Sequence, residues 1–288
     1  MLSYILLGLV QGLTEFLPIS SSGHLIIARY FANLQTIDPL AVDAILQLGT
    51  IIAVYIYFFP ELWQIARDFF QGRRTMGWAI VLGTIPALIV GLMAEHYIDY
   101  LRTPLIVAIV LIIGAILFLL VEYWASGIAE QKKITIGSIK LSQATTIGIA
   151  QCLAFIPGFS RSGSTIMGGM LTGFTREAAA RFSFYLSLPI ITVSGLKQLY
   201  DVLKEGVPEQ AVLNLSIGTI VSFCIGLACI HFLLSYLKGH SLALFAWYRI
   251  ALGIVVLLAL GAYFPHSIPT RTISLVPCSR EVYYTSCL

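Results

Sequence analysis

Apolar stretches long enough to cross a bilayer, about 17 to 25 residues each, constrain this chain more than any other feature. Inside hydrocarbon every backbone polar group must find a partner within the protein, so a spanning segment must be a helix or part of a closed barrel. Six stretches run without interruption: about Leu40 to Phe59, Trp78 to Glu95, Thr103 to Tyr123, Ala178 to Leu199, Ala211 to Leu234 and Leu242 to Phe264. Two more are broken near their middles. Leu2 to Tyr30 contains Pro18 and the run Ser20-Ser21-Ser22-Gly23, and Ala144 to Phe174 contains Pro157-Gly158 and Ser160-Arg161-Ser162-Gly163. Irregular backbone at membrane depth is tolerated only where protein or water covers it, so both segments are expected to be re-entrant helical hairpins. The expected fold is an all-α integral membrane protein with six transmembrane helices and two re-entrant hairpins. With 58% of residues hydrophobic and 11% charged, against roughly 25% charged in soluble domains, a soluble enzyme and a disordered chain are both excluded.

The two broken segments resemble each other. At a constant offset of 140, Gly8, Gln11, Leu13, Ser20, Ser22 and Gly23 match Gly148, Gln151, Leu153, Ser160, Ser162 and Gly163. Further on, at an offset of 135, Gly83-Thr84-Ile85 and Gly91-Leu92 match Gly218-Thr219-Ile220 and Gly226-Leu227. Shared glycine and polar positions argue for a duplication over chance likeness between apolar helices. The expected organisation is a first repeat over 1–141 and a second over 142–266, each one hairpin plus three spans. A polar tail follows over 267–288, with Pro269, Pro277, Cys278 and Cys287, and is left out of the fold. Three spans per repeat is an odd number, so the halves are expected to be inverted relative to one another, with their broken tips meeting near the midplane.

The basic residues sort by side. Arg67, Arg73, Arg74, Lys132, Lys133, Lys140 and Lys238 fall in loops on one side, and Arg29, Arg102 and Lys204 on the other. The positive-inside rule makes the first side cytoplasmic and places both termini outside. A net charge of +3 without a basic stripe gives no footprint for nucleic acid. Cys152, Cys224 and Cys229 lie within apolar segments, and the five cysteines show no metal-ligand spacing; they read as small buried hydrophobes. The N-terminus lacks the basic n-region and small-residue cleavage site of a signal peptide.

A few polar residues inside the apolar bulk carry the chemistry. Gln11 and Glu15, four apart, share one helix face ahead of Pro18. A carboxylate in an apolar segment is costly unless paired or solvated, so Glu15 is a functional candidate by default. Ser20, Ser21 and Ser22 precede an apolar run and read either as helix caps or as hydroxyls of a site. His24 lies at the same break, as a hydrogen-bonded core histidine or a catalytic group. In the second hairpin, glycine and serine at a helix start leave backbone N–H groups free, and with Arg161 they form an anion cradle of Ser160, Ser162, Gly163 and Thr165. The guanidinium fork of Arg161 suits phosphate, although an internal ion pair with Glu15 would also account for it, and the two readings are compatible. Arg249, in the last span, reaches the site or snorkels to the interface. Gln47 and Gln151 read as helix-helix glue or supports of the site, and Trp247, Tyr248, Tyr55 and Tyr57 as interfacial anchors.

Gln11-x-x-x-Glu15 with Pro18-Ile19-Ser20-Ser21-Ser22-Gly23-His24, followed by Pro157-Gly158-Phe159-Ser160-Arg161-Ser162-Gly163-x-Thr165, closely resembles the undecaprenyl-diphosphate phosphatases of the bacitracin-resistance type, from about Leu2 to Phe264. The resemblance implies an inverted-repeat fold with two re-entrant hairpins in the bacterial plasma membrane. It also implies hydrolysis of a polyprenyl diphosphate lipid held among bilayer lipids, with a divalent cation, Mg2+ or Ca2+. Carried over, Glu15 assists the metal or activates water, Ser21 and His24 sit at the attacking centre, and Arg161 holds the phosphates with Ser160, Ser162 and Thr165. Gln11 stands where many members have a second glutamate, which removes one carboxylate from any metal site. The attacking group remains open between serine, histidine and water, with His24 or Glu15 taking the proton. The rival reading is an inverted-repeat transporter or flippase for a polyprenyl phosphate or another anion. The charge count places the first hairpin's base outside, so access is expected from the periplasmic or external side.

Overall fold

A computed structural model describes residues 1–132, 134–206 and 208–263, and their side chains except at 94–99, 126–132 and 263. Lys133, the end of the second repeat at 266 and the tail over 267–288 lie outside the described residues. Apart from one β-bridge between Ile134 and Phe174, the described residues form helices and turns.

The first broken segment folds as α1 (Leu2–Thr14) and α2 (Ser21–Ala32), joined by a turn over 15–20. At 13 and 12 residues each is about 20 Å long, short of the roughly 30 Å of hydrocarbon. The spans α3 (Pro39–Tyr57), α5 (Thr75–Ile98) and α6 (Pro104–Lys132) follow, with α4 (Phe59–Phe70) between the first two. The second broken segment gives α7 (Leu141–Gln151), a 3-10 turn over Cys152–Phe155, and α8 (Arg161–Leu171); then come α9 (Arg176–Glu205), α10 (Glu209–Leu237) and α11 (Ala243–Tyr263). Six of these helices, α3, α5, α6, α9, α10 and α11, are long and apolar enough to cross a membrane.

Helix α4 departs from the sequence reading, which has a loop there. Phe58 ends α3, Pro60 starts the new helix, and α4 buries none of its residues. Phe59, Trp63 and Phe70 are exposed along it beside Arg67, the pattern of a helix lying in an interface plane.

The hairpins pack crosswise. Helix α1 lies against α10, and α7 against α5, and both contacts are made at paired glycines. A Cβ on Gly8 would overlap the backbone oxygen of Gly218, and one on Gly148 that of Gly83. These are the positions matched by the two sequence offsets, so each hairpin rests on the middle span of the other half.

Ion pairs mark the two ends of the bundle. Asp43, at the start of α3, sits between Arg29 at 2.6 Å and Arg102 at 2.8 Å. At the other end Glu122 meets Arg176 at 2.6 Å, and Arg181 lies between Glu177 and Glu61. Between the ends, Phe16 packs edge-on to Phe184, and Phe58 edge-on to Tyr185. These rings form an apolar layer beside the turn that carries Glu15.

Candidate active site

The two hairpin turns are built alike. Ser20 and Ser160 each precede a helix with positive φ, 75° and 83°, a conformation that costs a non-glycine residue of order 1–3 kcal/mol. Each aims its hydroxyl at the new helix: Ser20 Oγ accepts from Gly23 N–H at 3.4 Å, and Ser160 Oγ from Gly163 N–H at 3.1 Å. Both serines therefore cap, and in each hairpin the hydroxyl two residues on lies beside the cap, at 3.5 Å for Ser22 and 3.1 Å for Ser162. Ser162 Oγ also donates to the Leu17 carbonyl at 3.0 Å, tying the second turn to the first.

Between the turns lies a cavity of about 200 Å³, lined by Glu15, Ser20, Ser21, Ser22, Ser160, Arg161 and Ser162 from the hairpins and by Gln47, Ala87, Ile191 and Ser194 from the spans. Glu15, 6% exposed, is its centre. Its Oε2 accepts from Gln11 Nε2 and from Ser21 Oγ, both at 2.7 Å, and its Oε1 accepts from Arg161 Nη2 at 2.5 Å. The three donors compensate a carboxylate that would otherwise be too costly at this depth. Arg161 Nη1 reaches the Ser183 carbonyl at 3.5 Å. Of the five N–H donors of a guanidinium, three are left for a ligand.

Other candidates are placed differently. Thr165, Gly163, His24 and Arg249 do not line the cavity. The Thr165 hydroxyl lies 2.8 Å from the Arg161 carbonyl and 2.7 Å from Ser183 Oγ. It supports the first turn of α8 and does not face a phosphate. Gly163 serves as the capped amide of α8. Ser21 and His24, expected together at the attacking centre, have separate partners: Ser21 bonds Glu15, while His24 bonds the Ser20 carbonyl and Tyr248. Arg249 is fully buried and donates to the carbonyls of Gly158 and Phe159, so it does not snorkel to the interface but braces the second turn from outside the cavity lining. Tyr248 and Trp247, expected as interfacial anchors, are both exposed, and Tyr248 is in addition the partner of His24.

The chain belongs to the bacitracin resistance protein BacA family. It matches that family over residues 4–255. It is 44% identical over 268 residues to an undecaprenyl-diphosphatase of Chlorobium phaeobacteroides (strain BS1), covering 88% of this chain and 94% of that one. It is 42% identical over 275 residues to an undecaprenyl-diphosphatase of Corynebacterium glutamicum (strain ATCC 13032), covering 91% and 92%. Undecaprenyl-diphosphatase 3 of Acinetobacter baylyi is 39% identical over 259 residues, covering 87% and 94%.

The divalent cation that the family resemblance implies finds no cage here. Among the described residues no three His, Cys, Asp or Glu side chains come together as ligands. Gln11 and Glu15, the expected ligands, are hydrogen-bonded to each other, and the guanidinium of Arg161 occupies the other carboxylate oxygen. The remaining amide oxygen of Gln11 is buried without a partner, but it is one neutral ligand outside the cavity lining. Glu15 is the one carboxylate lining the cavity, which is too little for a protein cage around Ca2+; Mg2+, held by one or two carboxylates together with waters and substrate phosphates, would have Glu15 as its charged ligand.

The sequence reading did not single out Ser194 as part of the site. Ser183, Ser187 and Ser194 interrupt the apolar α9 at spacings that share one helix face, and that periodicity was the available signal.

Proposed function

We propose that this chain hydrolyses undecaprenyl diphosphate to undecaprenyl phosphate and inorganic phosphate, returning the lipid carrier to peptidoglycan synthesis and so supporting bacitracin resistance. The observation that carries this reading is the chain of contacts from Ser21 through Glu15 to Arg161 inside one cavity. A hydroxyl, a base and a phosphate clamp are what hydrolysis needs, whereas moving an anion needs only the clamp. The names of the relatives point the same way.

Charge comes first. Before attack, the terminal phosphate must lose part of its repulsion for a nucleophile, and the free donors of Arg161 with the opposed N-termini of α2 and α8 supply positive potential for this. Glu15 is the group placed to take the Ser21 proton. Attack of Ser21 Oγ on the terminal phosphorus forms a phosphoserine and breaks the bond to the bridging oxygen, which leaves as undecaprenyl phosphate. The proton on Glu15 passes to the departing undecaprenyl phosphate; the freed carboxylate then takes a proton from the water that attacks the phosphoserine and returns it to Ser21 Oγ as inorganic phosphate leaves. If water attacks directly, Glu15 takes its proton instead.

We also infer that both hairpins dip into the plasma membrane from opposite faces. The shortness of α1, α2, α7 and α8 and the crosswise packing of the halves support this. The end marked by Arg29, Asp43 and Arg102 carries few basic residues and is the external one, so the site is reached from the periplasmic or external side.

Purified protein in detergent with a C15 or C55 diphosphate is expected to release phosphate. Binding of the lipid with no phosphate released would overturn the hydrolase reading in favour of transport.

A further inference from the structure

Both nitrogens of His24 are occupied. Nδ1 lies 2.7 Å from the Ser20 carbonyl oxygen, and Nε2 lies 2.8 Å from the Tyr248 hydroxyl. A carbonyl oxygen only accepts, so Nδ1 carries the proton. In the neutral ring Nε2 is then the lone-pair nitrogen, and the phenol donates to it. The two rings meet edge to edge through that bond, with centroids 5.6 Å apart and planes 4° from parallel. The two hydrogen bonds together fix the imidazole in rotation as well as in tautomer.

Tyr248 comes from α11, 224 residues further along the chain, and its neighbour Arg249 grips the other hairpin. Arg249 Nη2 donates to the Gly158 carbonyl at 3.2 Å and the Phe159 carbonyl at 2.9 Å. Gly114 of α6 leaves the space for that guanidinium, since a Cβ there would overlap Nη2. One dipeptide of the last helix thus holds the first turn through His24 and the second through two backbone oxygens.

We propose that Tyr248 is a positioning residue for His24, holding its imidazole as the Nδ1–H tautomer so that Nδ1–H stays on the carbonyl of Ser20, the cap residue that lines the cavity next to Ser21. The proposal rests on the hydrolase reading for its effect on rate, but its structural content does not depend on turnover. Through the Ser20 carbonyl the imidazole holds the turn that carries Ser21, so its loss misplaces the attacking hydroxyl, lowering kcat and leaving KM nearly unchanged. A merely structural tyrosine would alter thermal stability without moving the histidine's protonation pattern.

The test uses full-length protein labelled with 15N-histidine in detergent, with the His24 signals assigned by their loss in His24→Asn. Wild type is expected to show Nδ1 protonated and Nε2 as a hydrogen-bonded acceptor. Tyr248→Phe keeps the ring and deletes the hydroxyl. It is expected to shift the Nε2 signal towards that of an unbonded nitrogen and to lower kcat on a C15 diphosphate about tenfold, with KM within about twofold. A wild-type spectrum with Nε2 protonated overturns the proposal, and so does Tyr248→Phe with unchanged kcat or unchanged His24 shifts. A wild type that releases no phosphate while showing the expected tautomer refutes the hydrolase reading alone.

Discussion

Substituting Arg161 by alanine removes both the counter-ion of Glu15 and a guanidinium that lines the cavity, so the two losses have to be read separately. Arg161→Ala leaves Glu15 with only the neutral donors Gln11 and Ser21. Breaking a buried pair from one side costs about 3–5 kcal/mol, and thermal denaturation in detergent should show a clearly lowered midpoint. Arg161→Lys keeps the charge and should hold stability to within about 1–2 kcal/mol of wild type. Activity is expected to fall in both variants. Two parallel bonds from the guanidinium to a phosphate contribute about 1.5–3 kcal/mol each, so losing them lowers kcat/KM by about 10²–10⁴. Lysine, a point charge without the fork, should recover only part of that loss. Phosphate release from a C15 diphosphate, normalised to folded protein, is the assay. If Arg161→Lys turns over at the wild-type rate while Arg161→Ala loses activity only in proportion to its unfolding, Arg161 is a structural counter-ion and the clamp is refuted.

Ser21→Ala is expected to reduce turnover by at least about 10³, and rapid quench of wild type with labelled diphosphate should trap acid-stable phosphoserine; absence of any trapped phosphate during turnover would assign the attack to water. Gly8→Ala or Gly148→Ala should lower the thermal midpoint by an amount equivalent to about 1–3 kcal/mol, because the added methyl meets backbone oxygen, whereas Gly239→Ala, with open space around it, should be neutral; equal midpoints would refute the close packing. With the native cysteines replaced, Gln35→Cys is expected to react with an impermeant maleimide added to intact cells and Gly72→Cys to be protected, and the reverse pattern would invert the orientation. Both sites are exposed, which Arg29, held by Asp43, is not.

Hydropathy and helix-breaking residues mark this architecture strongly, because hydrocarbon enforces both. The six spans and two broken segments are readable in the sequence for that reason, and so are Glu15 and Arg161, charges that apolar surroundings do not tolerate without a partner. Helix α4 was not readable. Its apolar residues are too few to span, and its helicity depends on lying along the bundle's edge. The alliance of Tyr248 with His24 was hidden because it joins opposite ends of the chain, and a tyrosine near a helix start is as readily an interface anchor. Thr165 misled for a local reason. A threonine in a helix turns its hydroxyl back to the carbonyl four residues earlier, here Arg161, so its place in the motif did not place it in the cavity.

The crosswise glycine contacts set what either part of the chain could do alone. Gly8 finds its partner at Gly218 and Gly148 at Gly83, so neither half completes its own packing. A half-length precursor standing alone would leave its flat glycine face against lipid. Two copies related by a two-fold axis in the membrane plane would satisfy both contacts at once. In that pair both turns would be identical. In this chain the turns differ, one holding Glu15 and His24 and the other Arg161, an asymmetry that a symmetric dimer cannot encode.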